Sequence, residues 1–352
     1  MKSKTKRIVA VIIPACLVLA LLSSVLRGRN VEVDSGYKLT MGTFARIVAV
    51  APNTQTAEKG IEAAFARQER IEELMSFHKA DSQLNKVNSE AFNRPVSVHP
   101  MTFEVIEKAI ECSKLSQGAF DITIGPLVDI WRRAGDANRA PTDEELDEAR
   151  SKVGYDKLAL DSNELTVRFA VEGMKLDLGG IAKGYAIDKS IEALRARGAV
   201  SGMVDIGGDI CCFGSPKGRP VWRIGVQDPT RPDRNMTNAE TLMVLELKAN
   251  TDSTVAVATS GNYQRFEVIE GKQHSHIIDT RSGQSSDKLA SVTIIAPSAT
   301  TADAIATAVS VLGAEKGLEL IERTPEVEAV LIPAALPLQI IKSAGAEAYI
   351  SD

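Results

Sequence analysis

The sequence predicts an α+β fold in one large domain, on three observations. The chain has 352 residues, 44% of them hydrophobic and 25% charged, so it can bury a sizeable core. Apolar residues recur at helical spacing in some segments and cluster in short β-branched runs between turns in others. Because these segments do not alternate strictly, α+β is favoured over a doubly wound α/β fold.

Residues 1–29 are expected to form a membrane anchor or a signal segment. Four basic residues precede an apolar run over residues 8–26. That run approaches the ~20 apolar residues that cross a bilayer, which favours an uncleaved anchor over a cleaved signal. The basic flank should stay in the cytoplasm, so the rest of the chain is expected on the extracytoplasmic, periplasmic face of the cytoplasmic membrane. Residues 30–36 are interpreted as a linker and residues 37–352 as the domain.

Charge and cysteine content exclude two classes of function. The net charge of -5, without a basic stripe interleaved with aromatic residues, argues against nucleic-acid binding. The four cysteines, Cys16, Cys112, Cys211 and Cys212, fit neither a disulfide framework nor a C-x-x-C metal site.

Periodicity places the elements of the domain in chain order. Residues 37–50 are predicted to form two strands interrupted at Met41-Gly42, and a polar loop over 77–88 leads into a short helix. Helices are predicted over 54–75, 101–115, 186–198, 301–312 and 315–323. Further strands are predicted over 202–206, 221–226, 242–247, 255–259, 264–269 and 291–295.

Residues 176–188, read as LDLGGIAKGYAID, place three glycines and Lys183 where a short strand should turn into a helix. Glycine allows a ligand to approach the backbone, and the N–H groups that open a helix attract phosphate. The segment matches neither a Walker A loop nor a Rossmann loop. Taken alone, it is equally consistent with a glycine-rich turn that carries a solvated lysine.

Asp303 and Thr307 lie four residues apart and therefore on one face of a predicted helix. Both side chains offer hard oxygen ligands, which suits Mg²⁺ bound together with substrate phosphates. The alternative is structural: Thr300-x-x-Asp303 fits a capping-box variant, with Asp303 in the first helical turn.

Three further segments allow both a binding and a structural interpretation. His274 and His276 share one side of a predicted hairpin strand, which permits zinc but favours a hydrogen-bonded or catalytic histidine. The segment 118–126 is interpreted as a ligand-facing loop or as a helix C-cap with an Asx turn. The Gly-Gly turn within 204–210 could admit a ring or simply close a hairpin.

Taken in order, eight segments resemble one family. They are Met41-Gly42-Thr43 and residues 81–88, 118–121, 176–188, 204–209, 259–263, 276–283 and 303–307. Together they resemble the motifs of the ApbE family, the FAD:protein FMN transferases, from Lys38 to about Ile332. Thr280 stands where that family usually has proline, and Phe77 where it often has tyrosine or tryptophan.

The resemblance implies a fold, a reaction and a site. The fold would have mixed or antiparallel sheets flanked by helices in a single catalytic domain. The enzyme would take FAD as substrate with Mg²⁺ as cofactor, transfer FMN to a threonine hydroxyl of an acceptor protein through a phosphoester, and release AMP. The acceptor would be an extracytoplasmic respiratory or electron-transfer protein.

The resemblance also assigns roles to residues. Mg²⁺ would be held by Gly180, Asp303 and Thr307, and His276 would be catalytic. FAD would contact Met41, Phe77, Ala119, Phe120, Asp121, Asp177 and Lys183. The alternatives are an FAD-binding carrier and a Mg²⁺-dependent FAD pyrophosphatase that needs no protein acceptor; a pure carrier would need neither the metal pair nor His276.

Overall fold

The computed structural model describes residues 30–231, 240–262, 266–335 and 337–351. The expected anchor or signal segment, residues 1–29, lies outside the described residues, as do Tyr263 and the first two residues of the strand predicted over 264–269. In the part that is described, each helix is too short or too polar to span a bilayer.

The described residues form fifteen strands and eight α-helices, joined by loops and turns. The strands are β1 Val31–Thr40, β2 Thr43–Ala51, β3 Val96–Ser97, β4 Leu158–Asp161, β5 Thr166–Phe169, β6 Ser201–Ile206, β7 Asp209–Phe213, β8 Trp222–Gln227, β9 Thr241–Leu247, β10 Thr254–Gly261, β11 Phe266–Ile269, β12 Lys272–Ser275, β13 Leu289–Ala296, β14 Glu328–Pro333 and β15 Ile341–Lys342. The helices are α1 Thr54–Met75, α2 Gln83–Glu90, α3 Pro100–Leu115, α4 Gly125–Ala137, α5 Asp143–Ser151, α6 Ala182–Ala196, α7 Ala299–Leu312 and α8 Ala314–Glu322.

An eight-stranded sheet with the order β1-β2-β6-β7-β10-β13-β14-β15 forms the centre of the fold. Every neighbouring pair in it is antiparallel. Helices α1, α6 and α7 cover one face, and the β8–β9 hairpin covers part of the other. The predicted α+β fold, with antiparallel sheets flanked by helices, is therefore confirmed.

The two faces of the sheet have separate hydrophobic cores, and adjacent cysteines show the division. Cys211 packs in the core beneath the helices, whereas Cys212 packs in the core beneath β8–β9. Successive side chains of a strand point to opposite faces, so these two neighbours in β7 belong to different layers.

Helix α1 has the bounds that its periodicity predicts, Thr54–Met75. Ala57, Ile61, Ala64 and Ile71 are buried on one face. Asn53 caps the first turn by accepting a hydrogen bond from the backbone N–H of Thr56 at 2.9 Å.

The expected linker over residues 30–36 is wrong, because Val31 begins β1. Its first residues pair with the end of β2, where Val31 faces Ala51 and Val33 faces Ala49. β1 lies at the edge of the sheet, and only alternate residues of this stretch are half-buried. An edge strand of this kind has a weak hydrophobic pattern, which resembles that of a polar linker.

Four other elements differ from the sequence prediction. Helix α6 begins at Ala182 rather than at residue 186, and helices α4 and α5 were not predicted. The strand that ends at Gly261 takes no part in the predicted hairpin that contains His274, because it lies in the central sheet. That hairpin joins β11 to β12 through a turn at Glu270-Gly271.

Candidate functional site

One cavity of about 420 Å³ gathers nearly all the predicted site residues. It is lined by the residues that open α6, the inner face of α7, the loop over 119–124, and the end of the β11–β12 hairpin. All the predicted residues except Met41 line it, although they are spread over more than 200 positions of the chain.

Met41 lies at the β1–β2 turn, in the left-handed region with φ of 48°, and packs against the main core. It does not line the cavity, but Thr43, two residues further on, does. Thr43 meets Gly207 there, since a Cβ on Gly207 would lie 3.0 Å from Thr43 Oγ1. The structure thus puts the turn containing Met41 beside the cavity.

Asn88 holds the glycine-rich segment in place. Its side-chain oxygen accepts from the N–H of Leu176 at 2.7 Å, and its amide donates to the carbonyl of Leu176 at 3.0 Å. Asp177 follows, and its Oδ1 accepts from the N–H of Gly179 at 2.7 Å. Burial raises the pKa of Asp177, and the Gly179 hydrogen bond opposes that rise.

Asp303 caps a helix, although not its own. Its Oδ2 accepts from the N–H of Gly184 at 3.0 Å, in the first turn of α6, where Ile181 provides no side-chain cap. Helix α7 is capped by Ser298, which accepts from the N–H of Thr301 at 3.1 Å. The proposed capping box between Thr300 and Asp303 is therefore wrong. It would need Thr300 as the N-cap residue, whereas the N-cap residue is Ser298 and the helix begins at Ala299.

Lys183 lies between two buried carboxylates. It forms an ion pair with Asp209 and lies 3.7 Å from Asp303 Oδ1. Asp209 also accepts from the N–H of Thr259 at 3.1 Å, which ties the cluster to β10. Burial raises the pKa of Asp303 to about 6, with Asp209 adding to the rise and Lys183 opposing it.

Gly180 faces Thr307 across the cavity wall. A Cβ at Gly180 would lie 3.0 Å from Thr307 Oγ1 and 3.2 Å from the Phe120 ring, so only glycine leaves room beside the hydroxyl. Thr307 lies one turn beyond Asp303 on α7. A carboxylate, a hydroxyl and an uncrowded backbone segment together fit a small hard cation such as Mg²⁺.

The loop over 119–121 has a partly structural role. Ala119 and Phe120 are buried, and Phe120 donates its N–H to Ser116 Oγ at 3.1 Å. Asp121 accepts from both the N–H and the hydroxyl of Thr123, and from the N–H of Tyr155 at 2.8 Å. The predicted Asx turn at Asp121 is therefore confirmed, while the same residues line the cavity.

His276 follows the last residue of β12 and is exposed at the cavity. Further along the loop, the Thr280 hydroxyl donates to the carbonyl of Gly118. A proline at position 280 would have no such donor. Thr280, which stands where the family usually has proline, therefore connects the loop after His276 to the loop over 118–121 through this hydrogen bond.

Several cavity residues were not among the predicted site residues. Gly207 and Thr259 line the cavity and belong to motifs that were recognised but assigned no role. Asp209, from the same motif as Gly207, does not line the cavity but pairs with Lys183, which does. Trp131 was not recognised: its ring lies 5.0 Å from that of His274, and its Nε1 donates to the carbonyl of Gly283 at 2.8 Å. Trp131 lies on α4, and a single aromatic residue on an unpredicted helix carried no signal of a site.

Comparisons with known proteins all point to one family. Residues 41–331 match the model of the ApbE family. A FAD:protein FMN transferase of Vibrio cholerae is 32% identical over 287 residues, covering 80% of this chain and 82% of the relative. The enzyme of that name from Haemophilus influenzae is 32% identical over 327 residues, covering 90% of this chain and 91% of the relative.

Solved structures have the same fold. The crystal structure of an ApbE protein from Thermotoga maritima matches with a TM-score of 0.79 and 31% identity, over 92% of this chain and all of that one. The flavin transferase ApbE of Vibrio cholerae matches with a TM-score of 0.75 and 29% identity, over 91% and 99% of the two chains. Sequence motifs, family model and fold all agree, and the chain belongs to the ApbE family.

Proposed function

We propose that the protein transfers FMN from FAD to a threonine hydroxyl of an acceptor protein, with Mg²⁺ as cofactor. The threonine oxygen forms a bond to the FMN phosphorus, the bond from that phosphorus to the bridging oxygen breaks, and AMP leaves with the bridging oxygen. The names of the relatives support a flavin transferase. The threonine, the AMP and the metal are our extension of that activity.

One observation carries the proposal: Asp303 and Thr307 of α7 face Gly180 and Lys183 at the start of α6 within a single cavity. The negative charge of a pyrophosphate needs neutralisation. Lys183 provides one positive charge, and Asp303 and Thr307 provide oxygen ligands for a metal cation. Aromatic rings of Phe77, Phe120 and Trp131 line the same cavity and suit a flavin or an adenine.

The chain's own residues would divide the work of the reaction. Asp303, Thr307 and the Gly180 carbonyl would hold Mg²⁺, which when bound neutralises charge on the pyrophosphate. Lys183 would add a fixed positive charge near the phosphates. His276 would accept the threonine proton as a general base.

We also propose that the protein works on the extracytoplasmic side of the cytoplasmic membrane, on electron-transfer proteins located there. The support is the basic and apolar character of residues 1–29. Fractionation of cells that express the full chain, with protease added to intact spheroplasts, tests this. Protection of the protein from that protease would contradict the placement.

The decisive experiment mixes the full chain with FAD, Mg²⁺ and a peptide that contains one threonine. We expect an FMN-sized mass gain on the peptide and stoichiometric AMP. A matched peptide with valine in place of threonine should gain nothing. FAD that stays bound and intact would instead identify a carrier, and FMN plus AMP formed without peptide labelling would identify a pyrophosphatase.

A further inference from the structure

The outer face of the β1–β2 hairpin carries an exposed apolar cluster. Tyr37 is 61% exposed, Leu39 is 75% exposed and Phe44 is 60% exposed. Leu39 and Phe44 are direct cross-strand partners, and Tyr37 lies two residues before Leu39, so all three side chains share one face. We call Tyr37, Leu39 and Phe44 the hairpin patch.

The hairpin patch continues a face of the sheet that is buried elsewhere. Val48 points to the same side as Phe44, and it is only 5% exposed because the second core beneath β8–β9 covers it. Nearer the turn at Met41-Gly42 the β8–β9 hairpin no longer covers this face, and the side chains of Leu39 and Phe44 are exposed. Large apolar side chains grouped on a surface mark binding sites more often than isolated ones do.

A short chain of contacts joins the hairpin patch to the phosphate end of the cavity. The carbonyl of Phe44 accepts from the N–H of Gly207 at 2.9 Å, and Gly207 lines the cavity. Two residues later, Asp209 forms the ion pair with Lys183, which lies 3.7 Å from Asp303. The backbone of the strand that carries Phe44 therefore runs beside the end of the cavity that holds the proposed metal ligands.

The tip of the hairpin separates the two environments. Thr43 faces the cavity, whereas Phe44, the next residue, faces solvent. Gly42 leaves the tip open, since a Cβ there would meet no atom within 4 Å. A chain lying on Phe44 can thus cross the tip within a few residues and reach the cavity.

We propose that the hairpin patch is the docking surface for the acceptor protein and positions the target threonine at the hairpin tip. This inference rests on the proposed function, in which an acceptor protein brings a threonine hydroxyl to the FAD phosphate. Exposed tyrosine, phenylalanine and leucine side chains around an opening provide the apolar centre that a protein partner covers.

The surrounding charges favour a protein over an anionic lipid surface. Arg46 forms an ion pair with Asp34 at 2.5 Å, and Lys38 lies over the Phe65 ring at 4.4 Å. The basic groups on these two strands thus already have partners within the protein. Attraction to anionic lipid depends on clustered basic residues near the surface.

The test compares two acceptors of one reaction: a flavin-free electron-transfer domain with its acceptor threonine, and a short peptide cut from around that threonine. In the full chain, Leu39→Ser/Phe44→Ser should lower kcat/KM for the domain at least about tenfold, mainly through KM. With the peptide as acceptor, kcat/KM should fall by less than about twofold, and the Kd for FAD should not change. The control variant Phe92→Ser/Leu338→Ser removes an aromatic and a leucine that are 39% and 36% exposed elsewhere.

Each outcome has one meaning. Equal losses on domain and peptide, or no loss on the domain, overturn the docking surface and leave the transferase intact. A wild-type chain that labels neither acceptor overturns the transferase and the docking surface together. Leu39→Arg repeats the test at the most exposed position of the patch. Patch-dependent binding to phosphatidylglycerol vesicles, or a patch-dependent dimer, with unchanged domain kinetics would also overturn the proposal.

Discussion

Asp188 and Asp303 each cap the helix on which the other lies. Asp188, on α6, accepts from the N–H groups of Ala299 and Thr300 at 2.9 Å each, where α7 begins. Asp303, on α7, accepts from the N–H of Gly184 at 3.0 Å, where α6 begins. The two helix starts are thereby locked together, and the same lock fixes the carboxylate that faces the cavity.

Replacing Asp188 with alanine should reduce stability. The variant loses the bonds from Ala299 and Thr300, including that from the Thr300 hydroxyl at 2.5 Å. We expect the free energy of unfolding in urea to fall by about 2 kcal/mol, as for a lost helix cap. Glu192→Ala removes a carboxylate from the same helix that is 62% exposed, and it should change little. Equal effects of the two variants would contradict the reciprocal caps.

Asp303→Asn separates capping from metal binding. Asparagine can still accept from the N–H of Gly184 but has no negative charge, so we expect a melting temperature close to wild type. FMN transfer should fall by at least about 100-fold, and Mg²⁺ should no longer raise the melting temperature in the presence of FAD. Persistent Mg²⁺-dependent turnover would mean that Asp303 is only a cap.

Gly184→Ala should force α6 and α7 apart. A Cβ at Gly184 would lie 2.2 Å from the carbonyl oxygen of Ala299, which is backbone and cannot rotate away. We expect a loss of at least about 3 kcal/mol of unfolding free energy, together with weaker FAD binding. The control is Gly60→Ala in α1, where the nearest atom is a Leu194 methyl at 3.3 Å. That variant should stay within about 1 kcal/mol of wild type.

Asp205 should make stability depend on pH. Burial, together with the nearby charge of Asp209, raises the pKa of Asp205 from its ordinary value of 3.8 to about 6. A carboxyl with a raised folded-state pKa stabilises the protein only at low pH, and that contribution is lost as pH rises through the folded pKa. Asp205→Asn keeps an acceptor for the N–H of Gly208 and should raise the unfolding free energy by about 1–3 kcal/mol at pH 7.

The check on Asp205 is a pair of urea titrations across pH. The advantage of Asp205→Asn over wild type should shrink steadily from pH 7 to pH 4, since Asp205 is then protonated in the folded state. An advantage that does not vary with pH would show that the charge of Asp205 is not its cause.

His276→Gln tests the proposed proton acceptor. His276 is exposed and lines the cavity, so its replacement should leave the fold and the Kd for FAD unchanged. We expect kcat for FMN transfer to fall by about 100-fold, within the usual range for a general base. A fall confined to KM would instead place His276 in acceptor binding.

Local sequence patterns predicted those elements whose apolar period and capping residue lie within or directly beside the element. Helix α1 carries both its apolar period and its cap at Asn53, and its predicted bounds are correct. The start of α6 was placed four residues late, because its cap is Asp303, more than a hundred positions away. Helix α5 was missed although Thr142 and Glu145 form a complete capping box, a signal that could have been read.

Family motifs, rather than periodicity, identified the cavity residues. Asp177, Lys183 and Asp303 have ordinary structural explanations when each is considered alone, and only the order of eight segments pointed to one site. The role of Asp209 in the cluster could be found only from the structure, because its contacts come from Lys183 on α6 and from Thr259 on another strand. The hairpin patch was equally invisible, because Leu39 and Phe44 read as ordinary strand residues.

The division of the sheet into two cores has a consequence for handling the protein. Cys211 and Cys212 lie in different layers, and burial raises the pKa of both thiols. Burial also raises the pKa of Cys112 to about 12. Each of these thiols stays protonated and shielded from oxidants, so the domain should keep its structure in an oxidising compartment as well as in a reducing one.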